Sequence, residues 1–412
     1  MNIPILKKNI TFSPFIFYND FLQDIANAYK QIPDGKIQLT FTEEGEKSLF
    51  ASTYRIDPIT IPLLLSISNQ LKNFHKSPID LILYNTRGTS DVLEFLYLSD
   101  FFYLAGNNKN SLFPIGKEIF NFNENLLGSF KGKEIRPQHK VRCYSIFDSN
   151  ASEVIENFPG DDEKQRDSLA QIYTYIVKEQ FSSLLYENEF TSNQHNLYIN
   201  ILSELITNGV IHSKSPTFAL MFVDKFKTKF SISDNGLGFT ESLKNKVATN
   251  YYKPNELSKK LLTLKNLNNI NEKIVYNLIS IFEALFFSFL KNRRGLFDLM
   301  ANVVLNSKGY FRLHSENSQI IISNRMRKQL EPLYDLREKI YEVHTKYQVN
   351  IISENLYNDS IISLRDEALG LFISFFLSVQ NKFNDDIKFS SIRFFKVKFK
   401  GVHIEVEIPN NL

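Results

Sequence analysis

Alternating polar and apolar residues in the first third of the chain are interleaved with helical patterns. Asp57 followed by Pro58 offers an N-cap and a first-turn proline, which together mark the start of a helix. Strand, helix, strand and helix with short loops predict a small α/β domain, placed here at residues 1–150. The predicted elements are strand Lys36–Thr42, a helix from Asp57 to about His75, strand Ile79–Tyr84 and a helix at about Ser90–Phe102.

A second domain is predicted over residues 151–412, after a linker at Ser149–Gln165 where Pro159, Gly160 and acidic residues come together. Its pattern begins with helices and ends with strands. The predicted elements are a helix at about Lys164–Leu185, a helix containing Glu204–Ser213, strands Thr217–Val223 and Phe226–Asp234, helical residues 240–292, a short helix from Leu296, a strand pair Tyr310–His314 and Gln319–Ser323, helical residues 330–385, and a closing hairpin of Phe394–Phe399 and Val402–Ile408 around Lys400-Gly401.

The sequence ELITNGVIHS, Glu204–Ser213, carries the most informative pattern. Glu204, Asn208 and His212 follow one another in steps of four, so a helix places them one above another on one face. A carboxylate, an amide and an imidazole in line indicate a binding site, because a solvated face more often carries Lys, Glu and Gln. The alternative is a polar helix face that binds nothing. The apolar residues of the opposite face are Ile199, Leu202, Ile206 and Val210.

A second motif, DNGLGF, begins at Asp234, 21 residues after Ser213. Asp234 is expected to end a strand, and Gly236 and Gly238 allow a tight turn and close approach of the backbone to a flat ligand. A carboxylate held there can accept a hydrogen bond from an exocyclic amine. Taken alone, the Asn-Gly step would be typical of an ordinary hairpin turn.

Composition narrows the functional classes only slightly. The 48 Lys and Arg residues nearly balance the 45 Asp and Glu residues, and a net charge of +3 does not indicate nucleic-acid or membrane binding. The single cysteine, Cys143, excludes an internal disulfide and a cysteine metal cluster. No signal peptide is recognised, and the most apolar stretch, Leu278–Leu290, is too short to span a bilayer. We therefore expect a cytoplasmic protein.

In their order and distance, the two motifs resemble the N box and G1 box of the GHKL ATP-binding superfamily. The resemblance implies an α/β sandwich: a mostly antiparallel sheet with helices on one face. It also implies ATP and Mg²⁺ as cofactors, with Asp234 recognising the adenine amine, Asn208 as the magnesium ligand and Glu204 activating the attacking water. His212 either faces the phosphates or caps the helix C-terminus, where the helix dipole favours it.

The same resemblance implies a glycine-rich turn before a helix that meets the phosphates. The candidate is RRGLFDLM, with Arg293, Arg294, Gly295 and Leu296, although it lacks the second glycine common in the family. The two arginines are candidate phosphate ligands, with a solvated basic loop as the alternative. Residues 240–292 occupy the place of the family's ATP lid, and their apolar part is either a contact for a neighbour or a core helix.

The run RIDPITIPLLLSI followed by IDLILYNTRG resembles a STAS-like, anti-sigma-factor-antagonist domain over about 70 residues. Thr86 and Ser90 lie in the kind of loop that carries that family's phosphoacceptor, with a solvated or capping role as the alternative. The expected function is a Mg²⁺-dependent ATPase whose nucleotide state switches contacts with a protein partner, or with a second copy, through the N-terminal domain or the lid. The alternatives are a serine/threonine kinase of the anti-sigma-factor type and a non-catalytic ATP-binding protein.

Overall fold

The structure, a computed structural model, describes residues 1–42, 54–110, 114–132, 138–191, 194–244, 246–264, 272–382 and 390–410. The chain folds as two compact units. The first unit comprises Met1–Gly236 and Phe395–His403, and the second comprises Leu237–Phe394 and Ile404–Asn410.

The first unit contains a parallel sheet of four strands in the order β1-β3-β5-β6, beside a short parallel pair, β2 and β4. Parallel neighbours need crossover connections, and here helices supply them. The expected α/β character of this region is confirmed. The strands are β1 Asn2–Leu6, β2 Thr11–Phe12, β3 Gln38–Thr42, β4 Arg55–Ile56, β5 Ile79–Ile82 and β6 Phe120–Asn121, and the helices are α1 Pro14–Ile16, α2 Leu22–Gln31, α3 Ile61–His75, α4 Ser90–Leu98 and α5 Phe101–Ala105.

A second sheet in the first unit is antiparallel from β7 through β8 to β9, and strand β11 lies next to β9. Thr217 at the start of β8 is opposite both Tyr144 of β7 and Asp234, the last residue of β9. The strands are β7 His139–Tyr144, β8 Thr217–Val223, β9 Lys227–Asp234 and β11 Ile392–Pro409, of which Phe395–His403 belong to this unit, and the helices are α6 Ser149–Asn157, α7 Asp162–Tyr186 and α8 His195–Ser213.

Helices cover both faces of this second sheet. Phe230 of β9 packs against Tyr198 of α8, whereas the next side chain, Ser231, donates to the carbonyl of Ile59 directly before α3. Successive side chains of a strand point to opposite faces of the sheet, so α8 and α3 lie on opposite faces. The predicted mixed α/β class is confirmed, but the structure differs from the prediction of a sheet covered on one face only.

The N-terminal segment shares one apolar core with this sheet, which is why the units do not follow the predicted boundary at residue 150. Buried Val141, Phe218 and Leu220 belong to the same cluster as Leu39 and Leu63 from the N-terminal segment. The predicted linker at 149–165 instead contains α6 and the start of α7, and only the short stretch around Pro159 and Gly160 interrupts the helices.

The second unit is mainly helical. Its long helix α11 packs against strand β10 and helices α9, α10, α12 and α14, and α13 packs against α14. The predicted helical character of residues 240–292 and 330–385 is confirmed among the described residues. The elements are α9 Gly238–Lys244, α10 Glu256–Leu262, α11 Glu272–Leu290, α12 Leu296–Ala301, β10 Tyr310–Ser323, α13 Arg327–Gln348 and α14 Glu354–Gln380.

Two predictions about strands are wrong. The expected pair within residues 310–323 is a single strand, in which Glu316 has a φ of 56°. The expected closing hairpin is likewise one strand, β11, in which Gly401 has a φ of 107°. In both places one residue with positive φ replaces the turn that the sequence pattern indicated, and the strand continues through it.

The apolar run of the predicted lid is a core helix of the second unit. Phe282, Phe286 and Phe289 of α11 are buried, and their rings contact Phe372 and Phe375 of α14 at centroid distances of 5.2–5.7 Å. The core alternative for this segment is therefore confirmed. None of the helices within the described residues combines the length and the apolar content that a membrane crossing requires.

Candidate functional site

Helix α8 has the polar stripe that the sequence predicts. Glu204 and Asn208 are half-buried and His212 is exposed, on a helix that is otherwise largely buried from Tyr198 onward. The predicted apolar face is confirmed, since all four of its residues are buried. Asn196 and Asn200, both exposed, extend the stripe by two further steps of four, a regularity that was already present in the sequence.

An arginine from the preceding helix meets this stripe. Arg166 of α7 forms an ion pair with Glu204, its Nη2 donating to Oε1. Asn208 Nδ2 donates to the same oxygen at 3.1 Å. The two donors therefore converge on one carboxylate oxygen, and Oδ1 of Asn208 is the oxygen that the amide can offer to a cation. Sequence reasoning missed Arg166, which lies 38 residues before Glu204.

Asp234 ends strand β9, as predicted, and its carboxylate is almost completely buried, with 7% of the residue exposed. Oδ1 accepts the backbone N–H of Gly236 at 2.8 Å and that of Val402 at 3.3 Å. Burial raises the pKa of Asp234 to about 7, although these two hydrogen bonds act to lower it. Within the described residues both hydrogen bonds to the carboxylate go to Oδ1, so Oδ2 is the oxygen available to a ligand.

The turn after Asp234 lies against the C-terminal end of α8. A Cβ added to Gly236 would be 2.5 Å from the Cα of Ser213, so only glycine allows this approach. The Asn235 N–H donates to Ser215 Oγ at 3.1 Å. The chain continues into α9 and not into a second strand, so the turn is not an ordinary Asn-Gly hairpin. The C-terminal end of α8, at Ser213, and the carboxylate of Asp234 therefore lie at the same end of the sheet.

Contacts from α3 and β11 hold this turn in place. The Asn235 side-chain oxygen accepts hydrogen bonds from Ser66 and, at 2.9 Å, from Gln70, which also donates to the Lys400 carbonyl at 3.0 Å. A Cβ on Gly401 would lie 2.0 Å from the carbonyl oxygen of Asp234. These residues come from segments far apart in the chain, so no local pattern could have identified them.

Thr217 is a further residue that sequence reasoning missed. It is opposite Asp234 in the sheet, is fully buried, and its Oγ1 has no hydrogen-bond partner among the described residues. A Cβ on Gly209 of α8 would be 2.7 Å from its methyl group. The lack of a side chain at Gly209 is thus what allows the stripe helix to pack this closely on the sheet.

The remaining predicted residues belong to the second unit. Gly238 has a φ of 75° and begins α9. Gly295 precedes α12 with an extended φ of −161°, so its backbone does not need glycine. Its N–H donates to Asp298 Oδ2 at 2.9 Å, which occupies one of the donors expected to face a phosphate. Leu296 is the first residue of α12, and Arg294 bonds the exposed Glu338 at 3.2 Å.

A buried arginine fixes the loop before α12. Arg337 of α13 is fully buried and pairs with Asp298 at 3.0 Å. It also donates to the carbonyls of Lys291 and Arg293 at 2.7 and 2.6 Å. The loop with Arg293, Arg294 and Gly295 is thus held from within the unit. Its proposed phosphate contacts remain predictions.

No cluster of three or more His, Cys, Asp or Glu side chains suited to a metal ion occurs among the described residues. The predicted magnesium site does not require one, because Mg²⁺ commonly takes one or two protein oxygens and completes its shell with phosphate and water. Comparison of the chain with protein-family models, with curated proteins and with solved structures gives no match.

Proposed function

We propose that the first unit binds an adenine nucleotide at the end of strand β9. The observation that carries the proposal is the buried carboxylate of Asp234, with Oδ1 bonded to two backbone N–H groups and Oδ2 left for a ligand. An exocyclic amine that donates to such an oxygen makes a hydrogen bond to a charged group, worth about 1.5–3 kcal/mol. The glycine at 236 keeps side-chain atoms out of the turn next to it.

The polar stripe of α8 is the proposed place for the phosphates. The C-terminal end of α8 contacts the turn after Asp234, so a nucleotide seated there can extend along Asn208 and Glu204. Asn208 would hold Mg²⁺ through Oδ1, and the ion would neutralise phosphate charge. His212 is exposed near the helix C-terminus, where it is within the same stripe.

The proposed reaction is Mg²⁺-dependent hydrolysis of the terminal phosphate, with Glu204 taking a proton from the attacking water. A change in nucleotide state would then alter the contacts of the chain with a protein partner. Transfer of the phosphate to a serine or threonine of a partner protein would use the same residues, with a hydroxyl in place of water.

A second candidate is nucleotide binding without turnover. The ion pair between Arg166 and Glu204 favours it, because the carboxylate that would act as the base is already held at Oε1 by a guanidinium and an amide. The two candidates share the binding site and differ only in the state of Glu204.

Two measurements test the proposal. Calorimetry with ATP, ADP, adenosine and GTP in the presence of Mg²⁺ tests the site, and adenine ligands should bind while GTP binds more weakly, since guanine presents a carbonyl where adenine has its amine. Phosphate release by the purified chain separates hydrolysis from binding alone. Radiolabelled γ-phosphate appearing on a protein of a cell extract would instead indicate a kinase. Absence of adenine binding would overturn all three functions: hydrolysis, phosphate transfer and binding without turnover.

A further inference from the structure

Arg166 forms an ion pair with Glu204, the carboxylate of the polar stripe on α8. Its guanidinium is partly accessible, with 17% of the side chain exposed against 24% for Glu204. Both helices that carry the pair, α7 and α8, pack along each other in the first unit. The pair therefore lies at the accessible edge of the helix contact and not in the core.

The two donors on Glu204 define a compact polar cluster. Arg166 and Asn208 both donate to Oε1, so the guanidinium, the amide and the carboxylate are in direct contact. An anion that entered this cluster beside Glu204 would meet like charge unless a cation moved toward it. A guanidinium suits that task, because its planar fork matches a phosphate as well as a carboxylate.

We propose that Arg166 binds the terminal phosphate of a nucleotide and leaves Glu204 as it does so. This inference rests on the proposed function. In the absence of ligand the positive charge of Arg166 neutralises Glu204, and in its presence the same charge neutralises phosphate. Glu204 is then released from its ion pair only when a terminal phosphate is present. Arg166 thus makes the site select a triphosphate over shorter ligands.

The exchange predicts opposite effects for the two members of the pair. Arg166→Gln removes the phosphate ligand and should weaken ATP binding about 10-fold to 100-fold, the range for a charge-assisted hydrogen bond. Adenosine affinity should change less than twofold, because adenosine has no phosphate. Glu204→Gln removes the competing anion and should strengthen ATP binding, but only while Arg166 is present.

A double-mutant cycle on Arg166 and Glu204 measures this coupling. Arg142→Gln is the matched control, since Arg142 forms a comparable part-buried ion pair with Asp100 at 2.7 Å in the same unit. Arg166→Lys keeps the charge and should recover part of the ATP affinity. Thermal unfolding of each variant without ligand checks that the fold is kept, and Arg166→Lys takes the place of Arg166→Gln if the glutamine variant does not fold.

The ligands are ATP, ADP, adenosine and Mg²⁺-tripolyphosphate, each titrated by calorimetry at low and at moderate salt. Tripolyphosphate tests Arg166 without the adenine pocket. Loss of its binding in Arg166→Gln, and not in Arg142→Gln, would support the inference even if adenosine failed to bind and the adenine assignment fell. Equal ATP and tripolyphosphate affinities in wild type and Arg166→Gln would overturn it while leaving adenine binding intact. So would a Glu204→Gln effect of the same size with and without Arg166. If the wild type bound none of the four ligands, both proposals would fail.

Discussion

Replacement of Asp234 by asparagine should stabilise the protein above neutral pH. Asparagine has nearly the same shape and retains an oxygen that can accept the N–H groups of Gly236 and Val402. It carries no charge that burial must desolvate. The substitution therefore isolates the free energy that the buried carboxylate costs the folded chain.

The size of the effect follows from the pKa of Asp234. Burial raises this pKa from 3.8 to about 7, so between those pH values the folded chain binds more protons than the unfolded chain. The free energy of unfolding of the wild type consequently falls as the pH rises from about 4 to about 7. At 1.36 kcal/mol per pKa unit, the free energy of unfolding is lower than its low-pH value by about 1–2 kcal/mol at pH 5 and by about 4 kcal/mol at pH 8. Relaxation around the charge makes the second figure an upper bound.

Urea denaturation followed by circular dichroism at pH 5 and pH 8 measures this difference, with hydrogen exchange of β9 amides to assign it to the first unit. Asp34→Asn is the control, because it makes the same change of charge at an exposed position. The free energy of unfolding of Asp234→Asn minus that of the wild type should grow by about 2–3 kcal/mol between pH 5 and pH 8. A difference in free energy of unfolding that does not change with pH would refute the reasoning. So would a wild type that is more stable than the variant at pH 8.

Three further predictions concern turnover, the closing strand and the second unit. Glu204→Ala should still bind nucleotide, but its hydrolysis rate should be lower than that of the wild type by a factor of about 10²–10⁴. Asn208→Ala should weaken Mg²⁺-dependent binding itself. Binding of a fluorescent ATP analogue and phosphate release distinguish the two variants. Gly401→Ala should lower the free energy of unfolding by about 1–3 kcal/mol for its backbone conformation alone, because φ at this position is 107°. Overlap of the added Cβ with the Asp234 carbonyl should add to this loss. Arg337→Met should cost about 3–5 kcal/mol in urea denaturation, since Asp298 would remain buried without its counter-charge.

Each of these has an outcome that would contradict it. Wild-type hydrolysis by Glu204→Ala would remove the catalytic assignment. Gly370→Ala is the control for the glycine variant: it lies in helix α14 with open space around it, so alanine there should be neutral or stabilising. A Gly401→Ala protein as stable as that control would show that the strand relaxes freely. Arg294→Met, which removes an exposed pair with Glu338, should change stability by less than about 1 kcal/mol and serves as the control for Arg337.

Local periodicity was sufficient to predict much of the candidate site. Steps of four along the segment from Glu204 to His212 define one face of a helix whatever surrounds it, and the structure has that face accessible. The strand β8 was predicted with its observed bounds, Thr217–Val223, because its apolar run ends at a turn signal. The position of Asp234 at the end of β9 followed in the same way.

Long-range contacts account for what the sequence did not reveal. Ser66 and Gln70 bond the turn at Asn235, more than 160 residues away, and Arg166 meets Glu204 through the packing of two helices. The burial of the sheet by the N-terminal segment, and with it the extent of the first unit, likewise depends on tertiary contacts. Local patterns cannot specify such pairings.

Strand β11 shows a different limit. Lys400-Gly401 has the composition of a hairpin turn, and the prediction followed that composition. In the structure Gly401 has a positive φ, and its backbone approaches the Asp234 carbonyl too closely for any Cβ. The glycine serves a close approach between strands and not a reversal of the chain. Sequence alone does not distinguish these two uses of glycine.

Calorimetric titration of wild type and Asp234→Asn with ATP and with adenosine, at pH 8 and in the presence of Mg²⁺, tests the central claim most directly. The wild type should bind both ligands, and Asp234→Asn should bind each about 10-fold to 100-fold more weakly. Because the variant is expected to be the more stable protein at this pH, unfolding could not explain its loss of affinity. Equal affinities in the two proteins, or no binding of either ligand by the wild type, would contradict the assignment of Asp234 as the adenine-recognising carboxylate.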